Sequence, residues 1–115
     1  MVDALLRNAA RNECELYMHK INVLEIYYGI FRELGQEKAE DVLKKISVLP
    51  IKLVNVLSER VFKEAGRLKA TYYVSLADSL ALAEAKVRKA QLVTSDHHEF
   101  DPLEVQKEIT CYWIR

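Results

Sequence analysis

Three acidic residues stand in this sequence at places where their carboxylates could hold a divalent metal ion. Glu25 follows a short apolar stretch, and Asp96 directly follows the apolar run 92–94 and one serine. Asp78 lies near the head of a helical stretch that begins at Ser75. Several carboxylates without His or Cys ligands form an oxygen-only site, which suits Mg²⁺ or Mn²⁺ and disfavours Zn²⁺. Such a site can activate water and neutralise charge while a phosphodiester is hydrolysed.

Each acid also has a structural explanation that needs no ligand. The tetrapeptide Ser75-Leu76-Ala77-Asp78 has the form of a capping box, and Asn22-Val23-Leu24-Glu25 has nearly the same form. Asp96 could cap a turn formed by residues 97–100, where His97 and His98 are expected in a solvated loop. Capping is the commoner role for any one such residue, so only convergence of the three acids favours a metal site.

The hydrophobic pattern predicts helices that alternate with short strands. The predicted helices cover residues 3–12, 22–34, 36–45, a stretch from the N-cap Ser58 to Lys69, and 75–89, and the predicted strands cover 16–18, 51–56, 91–94 and 109–114. Strands separated by helices require crossover connections, which indicates an α/β fold with a mostly parallel sheet. Sites in such sheets form beyond the carboxyl ends of the strands. There, Thr94 or Ser95 beside Asp96 could orient a metal-bound water or an acidic ligand.

The composition fits one small intracellular domain. The chain has 115 residues with 17 basic and 17 acidic side chains, a balance that argues against a generally basic nucleic-acid-binding protein. It has no apolar run of the roughly 20 residues that a membrane helix needs. Cys14 and Cys111 are too few and too far apart for a disulfide scaffold, so both are expected to be reduced, buried residues. These features predict a cytoplasmic location without membrane contact.

Four segments resemble the PIN-domain family in their order and spacing. They read NVLEIYYG at 22–29, SLADSLALA at 75–83, LVTSD at 92–96 and FDPL at 100–103. The resemblance extends over essentially the whole chain and is strongest to the VapC-type toxins of toxin–antitoxin pairs, including the ending YWIR at 112–115.

This resemblance implies a three-layer α/β/α fold and a metal-dependent ribonuclease with an acidic site for Mg²⁺ or Mn²⁺. By position, Glu25, Asp78 and Asp96 correspond to three of the family's acids. Thr94 corresponds to the hydroxyl residue that precedes the last acid, and Ser95 and Asn22 are expected to support the site. VapC-type members often form homodimers, and a small antitoxin protein typically blocks their site.

The beginning of the chain departs from the family pattern. PIN domains begin with a hydrophobic strand that ends in an aspartate, whereas this sequence begins with a helical stretch in which Asp3 does not follow an apolar strand. Residues 1–115 are therefore expected to form one N-terminally incomplete domain whose sheet lacks its central strand. We therefore expect either that the chain is a fragment or an alternative start, or that a partner fills the gap by strand addition or segment exchange. The alternative function is a non-catalytic interaction or dimerisation module, and a weaker one is an acid-cluster phosphatase or another small nuclease.

Overall fold

The structure of the chain is a computed structural model that describes residues 2–94 and 97–113. The helices are α1 (Val2–Ala10), α2 (Lys20–Leu34), α3 (Gln36–Ser47), α4 (Glu59–Thr71), α5 (Leu76–Val87) and α6 (His97–Val105), and the strands are β1 (Tyr17–His19), β2 (Lys52–Val54), β3 (Leu92–Thr94) and β4 (Cys111–Trp113). Helices thus alternate with short strands, and both strand pairs are parallel. The predicted α/β class is confirmed.

The chain divides into two compact units, Met1–Asn55 and Val56–Arg115, each with its own two-stranded sheet. β1 pairs with β2 in the first unit, and β3 pairs with β4 in the second. Within the described residues, no strand joins the two pairs. The assignment of residues 1–115 to a single domain stays a prediction.

In the first unit, α2 and α3 pack against each other across a single connecting residue, Gly35. Gly35 has a φ of 91°, a conformation that residues with a side chain rarely adopt, and its N–H donates to Phe31 O at 3.0 Å. Val23 and Ala39 are buried at 7% and 0% exposure. The run 16–18, expected to be a buried strand, is only partly buried, because Tyr17 is exposed and Leu16 and Met18 are half-buried; the strand itself covers Tyr17–His19.

The second unit contains a continuous hydrophobic core. Its largest fully buried apolar side chains come from four positions on α4, α5 and α6, namely Val61, Leu68, Leu82 and Leu103. The predicted N-caps of α4 and α5 are confirmed, since Ser58 Oγ accepts from Val61 N–H at 3.2 Å and Ser75 Oγ accepts from Asp78 N–H at 3.1 Å. Both helices therefore begin where the sequence predicts.

The expectation of a turn and loop at residues 97–100 is wrong, because these residues belong to helix α6. The backbone is helical from His97 to Val105, although Pro102 lies inside this helix. Proline lacks an N–H and usually interrupts helices, which hides the helical pattern in the sequence. The helix forms because Phe100 and Leu103, three residues apart on one face, are buried at 4% and 1% exposure in the core of the second unit.

None of the described helices is long and apolar enough to cross a membrane.

Candidate functional site

Asp78 lies in the first turn of α5, at the third residue of the helix. Its N–H donates to Ser75 Oγ at 3.1 Å, so the backbone at this position is part of the helix cap. The reciprocal half of the capping box is not formed: within the described part of the chain, the Asp78 carboxylate makes no hydrogen bond or ion pair. Asp78 is half-buried, so this carboxylate remains available to a ligand.

The residues around Asp78 hold the first turn of α5 in place. Ala77 and Ser79, on either side of it, are buried at 7% and 0% exposure. The Ser79 hydroxyl donates to Leu76 O at 2.7 Å, which satisfies its buried polar atom. The backbone that carries Asp78 is therefore fixed by capping on one side and by packing on both.

The capping interpretation of Asn22–Glu25 is wrong, because α2 begins at Lys20 rather than at Asn22. His19 caps the helix: its Nδ1 accepts from Ile21 N–H at 3.1 Å. Helical structure thus starts two residues earlier than the sequence pattern indicates, and Glu25 lies in the second turn, where its side chain is exposed. Asn22 is half-buried within the first turn.

His19 is 6% exposed. Its Nδ1 is used as the acceptor in the helix cap, so Nε2 is the ring nitrogen left to contact another group. This Nε2 is buried without a hydrogen-bond partner in the described residues.

The convergence of the three acids stays a prediction. Glu25 belongs to the first unit and Asp78 to the second, and Asp96 lies outside the described residues together with Ser95. Thr94, the last residue of β3, is half-buried and stands opposite Trp113 in the parallel register. Among residues 2–94 and 97–113, no three His, Cys, Asp or Glu side chains are grouped to hold a metal ion. The fit to Mg²⁺ or Mn²⁺ therefore rests on the carboxylate chemistry of the donor set.

Sequence reasoning missed a charged cluster in the second unit, centred on the Glu108 carboxylate. Arg67 donates to both of its oxygens, at 3.2 and 2.8 Å, and the Tyr72 hydroxyl donates at 2.5 Å. Lys86 also pairs with it, and Glu64 lies 2.6 Å from the Arg67 guanidinium. The cluster links α4 and α5 to the segment that precedes β4.

This environment shifts the pKa values of the cluster. The Arg67 hydrogen bonds, with those of Lys86 and Tyr72, outweigh the effect of burial and lower the pKa of Glu108 to about 2. The same contact raises the pKa of Arg67, and the hydrogen bond to Glu108 raises the pKa of Tyr72. The partners are separated by up to 41 residues, so no local pattern could reveal them.

A second carboxylate, Glu104 of α6, holds the final strand. It accepts from Cys111 N–H at 2.8 Å and from the Trp113 indole N–H at 3.2 Å. Burial, with the nearby charges of Glu104 and Asp101, raises the pKa of the Cys111 thiol to about 11. Cys111 is buried, as expected, whereas Cys14 is half-buried; neither is in a disulfide.

Comparisons with known proteins agree with the architecture. Residues 2–104 match the family model described as PIN domain. A solved toxin–antitoxin complex from Klebsiella pneumoniae is structurally similar, with a TM-score of 0.56 over 84% of this chain and 73% of that chain. The sequence identity is 18%, so this likeness concerns the fold alone. No curated protein matches the chain in sequence.

Proposed function

The chain belongs to the PIN-domain family, whose model matches residues 2–104, and from this membership we propose that it is a metal-dependent endoribonuclease, the toxin of a toxin–antitoxin pair. The family match carries the proposal, because it spans Glu25, Asp78 and Asp96. The similar Klebsiella pneumoniae structure, a toxin–antitoxin complex, supports the toxin role and an antitoxin partner. We place the protein in the cytoplasm, where RNA and reduced thiols occur together.

In this proposal, Glu25, Asp78 and Asp96 hold Mg²⁺ or Mn²⁺. The metal ion, when bound, supplies an activated water and neutralises charge on the scissile phosphodiester. The chain itself holds Asp78 in the first turn of α5, where the Ser75 hydroxyl accepts from its backbone N–H. Thr94 and Ser95 directly precede Asp96 and would position its carboxylate. Asn22 lies one turn before Glu25 on α2 and would support that acid.

An exposed apolar stripe along α2 supports the proposal of a homodimer. Ile21, Leu24, Tyr28 and Phe31 are 37%, 53%, 46% and 44% exposed. Their spacing of three, four and three residues places them on one seam of the helix, as in helices that pair with another helix. A second copy of the chain could cover this seam with its own α2.

The direct test is cleavage of RNA by the purified chain. We expect hydrolysis with Mn²⁺ or Mg²⁺, loss of activity in EDTA, and a strong loss for Asp78→Asn and Asp96→Asn. Glu59→Gln is the matched control, because Glu59 is also an acid in the first turn of a helix but pairs on the surface with Lys63. Cleavage that persists in EDTA, or in both aspartate variants, would contradict the mechanism.

A second candidate is a non-catalytic interaction module that retains the PIN fold. The exposed apolar stripe of α2 offers it an interaction surface that needs no metal ion. This candidate predicts no Mn²⁺ binding at millimolar concentration in calorimetry and no RNA cleavage. A clear Mn²⁺ isotherm that disappears in Asp78→Asn would exclude it in favour of the nuclease.

A further inference from the structure

The turn between α4 and α5 presents an aromatic ring wholly to solvent. Tyr73 is 104% exposed, so its ring packs on none of the described residues. Both neighbours are anchored: the Tyr72 hydroxyl is bound to Glu108, and Val74 is buried at 4% exposure in the core. The turn is therefore fixed on both sides of Tyr73, and the ring is held outward rather than left on a loose loop.

A positive charge is fixed at the same turn. Lys69 Nζ donates to Val74 O at 2.8 Å, which places the ammonium group beside the backbone that follows Tyr73. Lys69 is exposed, and over the described ranges it has no carboxylate partner. Arg67 and Lys86 of the same helix pair differ from it, because Glu108 pairs with both.

This turn leads directly into the N-terminus of α5. Ser75 caps that helix and lies two residues after Tyr73, so their Cα atoms are at most about 7 Å apart. Asp78 follows in the first helical turn, with a carboxylate that is not engaged by the described residues. An extended ligand on Tyr73 would thus lie close to the proposed site.

We propose that Tyr73 and Lys69 bind single-stranded RNA, with the Tyr73 ring stacked on an unpaired base and the Lys69 ammonium on a neighbouring phosphate. Stacking on aromatic rings beside a positive charge is how proteins hold single strands, since every base has a flat face. Bases within a duplex are already stacked and do not offer that face. The inference rests on the proposed nuclease function and names two residues that would bind its RNA substrate.

Binding is measured without cleavage, by fluorescence anisotropy of a labelled oligouridine on the Asp78→Asn chain. Tyr73→Ala in this background should weaken binding by roughly 10-fold, the scale of one lost base stack, whereas Tyr73→Phe should bind normally. Lys69→Gln should weaken binding and make its salt dependence shallower by about 0.7 in log–log slope, the loss of one phosphate contact. Lys69→Arg should restore both. A duplex of equal length should bind more weakly than the single strand.

Phe62→Ala is the matched control, because Phe62 is an exposed aromatic residue, at 60%, in the first turn of the same helix α4. Equal affinity for Tyr73→Ala and its parent, or an equal loss for Phe62→Ala, would overturn the proposal. A changed oligomeric state with unchanged RNA affinity would overturn it as well and make the turn a protein contact. Failure of the nuclease proposal is distinct, since it shows as no cleavage by the native chain.

Discussion

The Arg67 guanidinium donates two hydrogen bonds, 3.2 and 2.8 Å long, to the carboxylate of Glu108, which is 41 residues away in the sequence. Bidentate arginine–carboxylate pairs are among the stronger hydrogen-bonded contacts in proteins, because both groups are charged and their geometries match. Tyr72 and Lys86 donate to the same carboxylate. The Glu108 side chain, in the segment between α6 and β4, therefore connects α4 and α5 to the residues that precede β4.

Replacing this carboxylate should destabilise the second unit. We expect Glu108→Gln to lower the free energy of unfolding by about 1–2 kcal/mol, because the Glu108 carboxylate, 13% exposed, loses its charge toward Lys86 and toward Arg67, whose side chain is 44% exposed and screened by solvent. Urea denaturation followed by circular dichroism measures the change. Glu59→Gln is the control, since the Glu59–Lys63 pair is 78% and 74% exposed and such pairs contribute little. A Glu108→Gln chain as stable as the Glu59→Gln chain would contradict the structural role of the cluster.

The same carboxylate should make stability depend on acidity. Its pKa is lowered from 4.5 to about 2 on folding, so the unfolded chain binds the proton more readily. The stabilisation is complete above pH 4.5 and is lost as the pH falls toward 2. Unfolding free energies measured across this window should fall more steeply for the native chain than for Glu108→Gln. Parallel curves would show that Glu108 titrates alike in both states.

The two serine caps allow helix stability to be separated from activity. Ser58→Ala and Ser75→Ala each remove a side-chain acceptor for a backbone N–H, and each should cost about 1 kcal/mol of stability. Only Ser75→Ala removes the hydrogen bond that holds the Asp78 backbone. RNA cleavage should therefore fall roughly 10-fold in that variant alone, the effect expected when a residue that positions a metal ligand is lost. Denaturation and cleavage assays on both variants make the comparison. An equal effect on cleavage would mean that the Ser75 cap acts through stability only.

The apolar seam on α2 should govern self-association. Leu24→Glu places a charge at its centre, where 53% of the residue is exposed, so the monomer should fold while the dimer dissociates. Sedimentation velocity over a range of concentrations measures the shift. Val48→Glu, at an 80% exposed position after α3, should leave association unchanged. Dimers that persist in Leu24→Glu would exclude α2 as the interface.

Features set by neighbouring residues were predictable from the sequence. Ser58, Ser75 and Gly35 act within one helical turn, and all three lie where capping rules place them. The actual N-cap of α2, His19, was not predicted, because Asn22 is a more usual capping residue and begins a segment that resembles a capping box. Helix α6 was not predicted, because Pro102 is a residue that usually interrupts helices. The helix forms nevertheless, since it buries Phe100 and Leu103.

Features set by distant residues could not be predicted in the same way. The sequence contains Arg67 and Glu108, but only the packing of the second unit brings them together. The candidate site belongs to this class, since the approach of Glu25, Asp78 and Asp96 depends on tertiary structure. Sequence spacing therefore identifies these acids as candidates and leaves their convergence as a prediction.

Gly35 has a further consequence for α3, because it sets the rotational phase of that helix. Its carbonyl accepts from Ala39 N–H at 3.2 Å, and Ala39 is the fully buried residue of α3. Each residue of an α-helix advances the side-chain direction by about 100°. One residue inserted after Gly35 would turn Ala39 away from α2 and bring Lys38 toward the buried position. We therefore expect the α2–α3 pair to tolerate surface substitutions far better than a change in the length of its connection.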